Sequence, residues 1–171
     1  MTDFERLMLP HLDAAFRLAV WLVRDESASQ DIVQESYLRA FKAWHRFQPG
    51  NERAWLLTIV HRCSLDWLKR TTARAFIDID DEAMMSPEEA RALRDNATPE
   101  DTFIQGQSAA KLKEAIMELA PAFREVILLK DIEELSYKSI AAILNVPIGT
   151  VMSRLARGRD LLRRRLVGVT P

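Results

Sequence analysis

The segment from Leu135 to Leu166 constrains the fold more than any other part of the sequence, because two helical patterns meet there at a short break. Ser136 is suited to cap the first helix, since its hydroxyl can accept a hydrogen bond from an amide of the first turn. Asn145 fits the left-handed position that ends a helix. Pro147 cannot continue the first helix and is suited to opening the second. Together these residues predict a helix-turn-helix.

Apolar residues recur at helical spacing in both predicted helices. The predicted buried positions are Ile140, Ala141, Ile143 and Leu144 in the first helix, and Val151, Leu155, Leu162 and Leu166 in the second. The other faces of the second helix carry Thr150, Met152, Ser153, Ala156 and Arg157. The first residues of such a helix reach base edges in the major groove, so these side chains are candidates for facing DNA.

The second helix is also strongly basic. Residues 154–165 contain six arginines and a single acid, Asp160. DNA phosphates attract such a helix regardless of base sequence. A pair of packed helices with a solvated basic tail is the alternative interpretation. The cap, the asparagine turn, the proline and the charge occur together, and this combination favours DNA binding.

The charge of the whole chain is close to neutral, at −1, but it is unevenly distributed. Residues 1–75 and 107–171 are each mildly basic, whereas residues 76–106 carry nine acidic side chains against two basic ones. Such asymmetry is more informative than the total. A chain of 171 residues can form one domain or two small ones, and this pattern predicts two, at 1–75 and 107–171, joined by an acidic linker at 76–106.

The predicted fold class is all-α, because no stretch alternates apolar and polar residues for long enough to form a strand. The first block is predicted to contain three helices, at 2–24, 27–46 and 51–74, with a turn at 48–51. The linker is predicted to hold one marginal helix near residue 86. The second block is predicted to contain helices at 103–119 and 121–129, followed by the helix-turn-helix.

The sequence argues against several kinds of functional site. The chain has one cysteine, which rules out an internal disulfide and a cysteine-cluster metal site. His11, His45 and His61 lie on separate turns or helices without nucleophile or metal-ligand spacing. No signal peptide or membrane span is evident in the sequence. We therefore expect a cytoplasmic protein that is not an enzyme and that holds neither a cofactor nor a metal.

The order of motifs resembles the extracytoplasmic function (ECF) sigma factors, a branch of the bacterial sigma-70 family. The matching segments are Asp31-Ile32-Val33-Gln34-Glu35, Arg53-Ala54-Trp55-Leu56 and the segment 64–70, followed by the linker and the helix-turn-helix. The resemblance implies a transcription initiation factor with sigma domains 2 and 4 on a flexible linker. It further implies as partners core RNA polymerase (the β′ coiled coil and the β subunit), promoter DNA and an anti-sigma factor. The free chain is expected to be monomeric.

The resemblance assigns core-polymerase binding to Asp31, Ile32, Val33, Gln34 and Glu35. Asp31, Gln34 and Glu35 lie three to four residues apart, so they share one helix face, opposite Val33 and Tyr37. An acidic face suits a basic partner helix. A merely solvated face is the alternative.

The third helix and the loop before it match the part of the family that holds the single-stranded minus-10 element and a flipped base. The implied residues are Phe47, Gln48, Asn51, His61, Arg62, Cys63, Lys69 and Arg70. Single-stranded bases bind where stacking surfaces lie beside cations. Cys63 stands where family members usually have asparagine, and a thiol cannot make the paired contacts of an amide. Cys63 is alternatively a small packing residue.

The helix-turn-helix matches the reader of the minus-35 element. The implied residues are Ser136, Tyr137, Thr150, Met152, Ser153, Arg154, Ala156 and Arg157. Arg154 and Arg157 are expected on phosphates. Met152 stands where relatives usually carry Lys or Arg, and it cannot make the bidentate contact of arginine with guanine. It can pack on thymine methyls or fill a gap in the surface.

Two other classes of protein stay open. One is a helix-turn-helix regulator that dimerises on a palindrome, against which the core-binding motif argues. The other is a sigma mimic that titrates an anti-sigma factor and never binds DNA. The departures at Cys63 and Met152 keep this second class open.

Overall fold

The computed structural model describes residues 1–71 and 109–168, and within these two ranges the chain forms helices and turns without a strand. We refer to residues 1–71 as the N-terminal block and to residues 109–168 as the C-terminal block. The predicted all-α fold class is confirmed. The predicted acidic linker at 76–106, with its marginal helix, lies outside the described residues.

The N-terminal block consists of α1 (Asp3–Met8), α2 (Leu12–Val23), α3 (Glu26–Lys42) and α4 (Glu52–Thr71), with 3-10 turns at Leu9–His11 and Trp44–Arg46. A single helix over residues 2–24 was therefore a wrong prediction. Pro10 lies in the first 3-10 turn, and because proline has no amide hydrogen it interrupts the helical hydrogen bonds there. The predicted turn before α4 is present, with Gly50 at a φ of 110°.

The core of the N-terminal block lies between α1, α2, α3 and α4. Met8, Leu18, Leu56 and Val60 are completely buried in it, and each such side chain stabilises the fold by about 1.5–3 kcal/mol relative to its exposed state. The hydroxyl of Tyr37 donates a hydrogen bond to the backbone oxygen of Met8 at 2.8 Å. Burial raises the pKa of Tyr37 to about 12. This contact fixes the short α1 against α3.

The C-terminal block consists of α5 (Ala109–Met117), α6 (Pro121–Ile127), α7 (Tyr137–Leu144) and α8 (Ile148–Val167). The helix predicted at 121–129 changes its hydrogen bonding at Leu128, where a π turn runs over Leu128–Ile132. The amide of Glu133 donates to the oxygen of Leu128, five residues earlier, at 2.9 Å. The wider turn carries Glu133 into a completely buried position.

The predicted helix-turn-helix is present as α7 and α8. Ser136 caps α7, since its Oγ accepts from the amide of Ser139 at 3.1 Å. Asn145 ends α7 in the left-handed conformation, with φ 54° and ψ 49°, and Pro147 is the N-cap of α8. The positions predicted to be buried are buried, except that Ala141 and Leu166 are half-buried.

Asn145 offers a test of this turn. We expect Asn145→Ala to destabilise the protein by roughly 1 kcal/mol, because alanine lacks the short polar side chain that lets asparagine tolerate the left-handed conformation. Asn145→Gly should be neutral or slightly stabilising, since glycine adopts positive φ readily. Urea unfolding followed by circular dichroism measures both. Equal midpoints for the alanine and glycine variants would contradict this account of the turn.

The two blocks pack against each other, α4 against α7 and α2 against α6. This places the first helix of the helix-turn-helix on the helix implicated in minus-10 binding. Within the described ranges, no single helix is long and apolar enough to cross a membrane. Tyr137–Leu144 and Ile148–Val167 meet that criterion only as a pair, across a bend of 100°.

Candidate functional site

The face of α3 predicted to bind core polymerase is only partly accessible. Asp31, Gln34 and Glu35 are exposed, as their spacing predicted. Ile32 and Val33 are 4% and 7% exposed and belong to the core of the N-terminal block. Ile32 packs inward and is not accessible for a direct contact, which corrects its assignment, whereas Val33 lines the groove beside this face.

Glu35, Arg39 and Asp66 form a row of alternating charges on the surface. The Oε1 atom of Glu35 accepts a hydrogen bond from Nε of Arg39 at 2.7 Å, and this contact lowers the pKa of Glu35. The Nη1 atom of Arg39 also lies 3.3 Å from Oδ2 of Asp66 on α4. The carboxylate of Glu35 is thus held ionised on the surface.

An apolar groove of about 520 Å³ runs beside this acidic face. Its walls come from the 3-10 turn after α1, from α2 and from α3, and include Leu9, Leu12, Phe16 and Gln34. Leu9 and Leu12 are 50% and 43% exposed. The face therefore combines carboxylates with accessible aliphatic surface.

The loop predicted to hold minus-10 bases is braced by an aromatic cluster. The ring of Phe47 stacks on Trp44 with centroids 4.6 Å apart, and it lies 5.1 Å from the ring of Trp55. One face of Phe47 is therefore already covered by protein. Gln48 and Asn51 are exposed at the loop surface, so these two polar side chains are the accessible part of the predicted loop site.

The predicted residues on α4 fall into two groups. Arg62, Lys69 and Arg70 are exposed. His61 and Cys63 are 4% and 3% exposed, so neither side chain is accessible for the predicted DNA contacts while the two blocks pack together. Burial of Cys63 supports its alternative interpretation as a small packing residue.

The predicted minus-35 surface is smaller than expected. Thr150 and Ser153 are 6% and 1% exposed, and Ser153 Oγ donates to the backbone oxygen of Thr150 at 3.1 Å. Their assignment to a groove-facing surface is therefore corrected, because both lie on the packed side of α8. Arg157 is exposed, whereas Met152, Arg154, Ala156 and Tyr137 are half-buried and Ser136 is exposed as the cap of α7.

Two residues predicted to contact DNA meet on one carboxylate. Glu125 of α6 is 6% exposed, and its Oε2 lies 3.0 Å from Nε2 of His61 in the other block. Its Oε1 lies 3.9 Å from Nη1 of Arg154 on α8. No sequence pattern indicated this contact, since Glu125 follows Arg124 in a short, mostly apolar helix and its partners are far away in the chain.

Glu133 makes the second contact between the blocks. Its side chain is completely buried, and Oε1 accepts from Nε of Arg17 at 2.6 Å. Oε2 accepts from Nη2 of Arg53. Burial is the main cause that lowers the pKa of Arg53, followed by the charge of Arg17. Arg53 belongs to the motif Arg53-Ala54-Trp55-Leu56, which matches the family, but no role was predicted for it from the sequence.

Arg124 adds a third link across the interface. It is 3% exposed and donates to the backbone oxygen of Trp21 at 2.8 Å. It also donates to the backbone oxygen of Leu119 at 2.8 Å within its own block. Burial lowers the pKa of Arg124 to about 10. The interface is therefore rich in buried charged groups that reach from one block to the other.

Comparison with known proteins accounts for both blocks. The family model for Sigma-70 region 2 matches residues 7–74, and the model for Sigma-70 region 4 matches residues 109–162. The ECF RNA polymerase sigma factor SigE of Mycolicibacterium smegmatis is 35% identical over 163 residues, which cover 95% of this chain and 61% of that protein. This chain belongs to the ECF sigma factors.

Other ECF sigma factors match along most of their length. SigW of Bacillus subtilis is 28% identical, with 90% of this chain and 83% of SigW covered. The RNA polymerase sigma-H factor of Pseudomonas aeruginosa is 28% identical, with coverage of 95% and 86%. The chain thus spans about three fifths of the length of the Mycolicibacterium relative and more than four fifths of these two.

A solved structure supports the fold of this ECF sigma factor. The co-crystal structure of the sigma factor RpoE in complex with the anti-sigma factor NepR from Bartonella quintana matches with a TM-score of 0.73 and 23% identity, over 98% of both chains. Sigma factors are transcription initiation factors. The matched residue ranges assign region 2 to the N-terminal block, and region 4 to the C-terminal block with its helix-turn-helix.

Proposed function

We propose that this ECF sigma factor binds core RNA polymerase in the cytoplasm and directs it to specific promoters. The observation that carries the proposal is the match to region 2 followed by region 4, each on a separate helical block. The two domains are proposed at residues 1–75 and 107–171, with the acidic segment 76–106 as the linker between them.

The proposed docking surface for polymerase is the exposed part of α3. Asp31, Gln34 and Glu35 provide charge and polarity, and the neighbouring groove exposes Leu9 and Leu12. A basic partner helix with apolar side chains fits such a surface, because charge complementarity gives orientation while apolar burial gives affinity. The β′ coiled coil is the proposed partner, with the β subunit as a further contact of the bound sigma factor.

For the minus-10 element we propose a smaller set of contacts than the sequence suggested. Gln48 and Asn51, both exposed, hydrogen-bond a base that has left the stack in this proposal. Arg62, Lys69 and Arg70 supply phosphate contacts along α4. The aromatic cluster around Phe47 keeps the loop in place.

For the minus-35 element we propose that Arg154 and Arg157 bind phosphates, and that Met152 and Ala156 face the bases. Apolar side chains of this kind contact the thymine methyl group in the major groove. Thr150 and Ser153 stabilise the start of α8 instead, because both are buried. Ser136 and Tyr137 lie at the start of α7, the helix that crosses the DNA backbone in this motif.

Run-off transcription with purified core polymerase tests the proposed function. The chain should support initiation on a subset of a randomised promoter library, and core polymerase alone should not. A pull-down with core polymerase provides the second measurement. Binding to a palindrome as a dimer, without polymerase, would favour the dimeric regulator instead. Binding to an anti-sigma factor with neither DNA nor polymerase binding would favour the mimic.

We also propose control by an anti-sigma factor. Leu9 and Leu12 line one groove of the N-terminal block, and Leu38 and Phe41 on α3 are also exposed. Exposed apolar patches are typical of protein interaction surfaces. Co-purification of the tagged chain from its native cell under uninduced conditions is the test. A chain recovered only free or with polymerase would contradict the proposal.

Met152 provides a prediction about base preference. Met152→Arg should shift the preferred minus-35 sequence toward guanine at one position, because arginine can contact guanine O6 and N7 together, worth about 1–3 kcal/mol of discrimination. Met152→Leu is the matched control and should keep the original preference. Selection from a promoter library by each holoenzyme measures the change. An unchanged preference in the arginine variant would exclude Met152 from the base-facing surface.

A further inference from the structure

Two buried carboxylates of the C-terminal block make ionic contacts across the interface between the two blocks. Glu133 is completely buried and binds both Arg17 and Arg53 of the N-terminal block. Glu125 binds His61 of the N-terminal block and approaches Arg154 of its own block. A buried carboxylate is stable only when cations or donors surround it, and here the N-terminal block supplies them.

The closed arrangement brings the minus-10 loop against the first helix of the helix-turn-helix. Gln48 and Asn51 of the minus-10 loop line the same cleft as Ser139 and Ala142 of α7, and the cleft measures about 340 Å³. Promoter elements centred at −10 and −35 lie about 25 base pairs apart, or about 85 Å along B-form DNA at 3.4 Å per step. One closed chain therefore cannot occupy both elements at once.

The covalent chain permits separation of the blocks. The segment that joins Thr71 to Ala109 has a fully extended length of at most roughly 130 Å, which exceeds the distance between the two elements. Opening of the interface between the blocks, and not the length of the chain, is thus the step that limits simultaneous reading.

Resting on the proposed function, we infer that Glu125 and Glu133 form a latch that holds the free chain closed and blocks promoter reading until it is released. Glu125 contacts His61 and Arg154, and Glu133 contacts Arg17 and Arg53, so the two carboxylates engage arginines that an acidic partner or a DNA phosphate would otherwise bind. Release exposes these groups together with the surfaces of α4 and α7.

A polar latch suits a reversible switch. In the closed state Glu133 is held by its two arginine partners from the other block and Glu125 in part by His61, and water can replace those partners when the blocks part. The cations released at the same time gain phosphates or acidic groups of polymerase in exchange.

The neighbouring ion pair provides a matched control for the test. Asp131 lies two residues before Glu133, and its Oδ2 accepts from Nε of Arg159 at 3.1 Å within the C-terminal block. Asp131→Asn and Glu133→Gln therefore remove the same charge from the same segment. Only Glu133→Gln breaks contacts between the blocks.

The conformational measurement uses fluorescence energy transfer in the full chain. Dyes on Lys42→Cys and Val167→Cys, both exposed positions, report the separation of the blocks in a Cys63→Ala background. Glu133→Gln should lower the transfer efficiency, and Asp131→Asn should leave it at the value of the unmodified chain. If Glu133→Gln proves unfolded by circular dichroism, Arg53→Gln breaks the same contact from the other block and should lower the transfer efficiency likewise.

The binding measurement uses promoter DNA without polymerase. If about a tenth of the free chain is open, complete opening should tighten DNA binding about tenfold. Transfer efficiency and DNA affinity of Glu133→Gln equal to those of Asp131→Asn would overturn the latch. Failure of the sigma-factor proposal would show separately, as absence of transcription with core polymerase in the unmodified chain, while the transfer measurement would still decide whether the latch exists.

Discussion

Reversing the charges of Asp31 and Glu35 in the variant D31K/E35K should abolish binding to core polymerase and all run-off transcription. Both side chains are exposed on α3, and the proposed partner surface is basic. Like charges that face each other across an interface cost several kcal/mol, so we expect a loss of affinity of at least about a hundredfold. A pull-down with core polymerase and a run-off assay measure the two effects.

The same variant should keep its fold. Substitutions at exposed positions away from special features rarely affect stability strongly. Glu35 contributes a surface pair with Arg39, and such pairs are weak because solvent screens them. Circular dichroism and thermal unfolding should therefore match those of the unmodified chain.

The matched control is E114K/E118K. Glu114 and Glu118 are exposed acids on or next to α5 in the C-terminal block, and their reversal changes the net charge of the chain equally. The control should still bind core polymerase. Normal transcription by D31K/E35K, or an equal loss of binding in the control, would contradict the assignment of the α3 face.

Removing Arg154 and Arg157 in the variant R154A/R157A should eliminate promoter binding while core-polymerase binding persists. Both arginines lie in the second and third turns of α8, close to the part that enters the major groove. Each phosphate contact removed should make the dependence of log affinity on log salt concentration shallower by about 0.9. Titration of holoenzyme with promoter DNA at several salt concentrations measures both effects.

The control for this variant is R164A/R165A, which removes the same charge from the last turn of α8. Arg164 pairs with Asp160 at 3.1 Å, and Arg165 pairs with Glu118 at 3.2 Å. Both control residues are thus engaged on the surface away from the start of α8. Promoter binding should survive in the control. A normal salt dependence and promoter affinity in R154A/R157A would show that these arginines do not contact phosphate.

Arg154 also belongs to the inferred latch, so the promoter binding of R154A/R157A has to be measured with holoenzyme. Arg154→Ala also removes a contact to Glu125, which weakens the closed state of the free chain. With holoenzyme, in which the blocks are proposed to be separated already, the loss of the phosphate contact is measured alone. Comparison of the free chain with holoenzyme therefore separates the two roles of Arg154.

Local features of this protein were predictable from the sequence because their causes are local. Ser136 caps a helix through an amide three residues away, and Asn145 ends it through its own backbone conformation. The apolar positions of α7 and α8 follow from helical periodicity. Pro10 was also a local signal, but the apolar pattern on either side of it suggested one continuous helix.

Exposure of the candidate site residues was less predictable. Asp31 and Glu35 face solvent as their spacing predicted, yet Ile32, Thr150 and Ser153 are buried. The spacing of residues in a helix gives the direction in which each side chain points around the helix axis. It does not give the width of the covered face, because that depends on which other helices pack there.

Contacts between the blocks were determined by the tertiary structure alone. Glu133 lies 116 residues from Arg17 in sequence, and Glu125 lies 64 residues from His61. A carboxylate in a helix has the same local pattern whether it faces water or a distant arginine. Only the packing of α4 on α7 and of α2 on α6 removes these carboxylates from water, and that burial makes their partners in the other block obligatory.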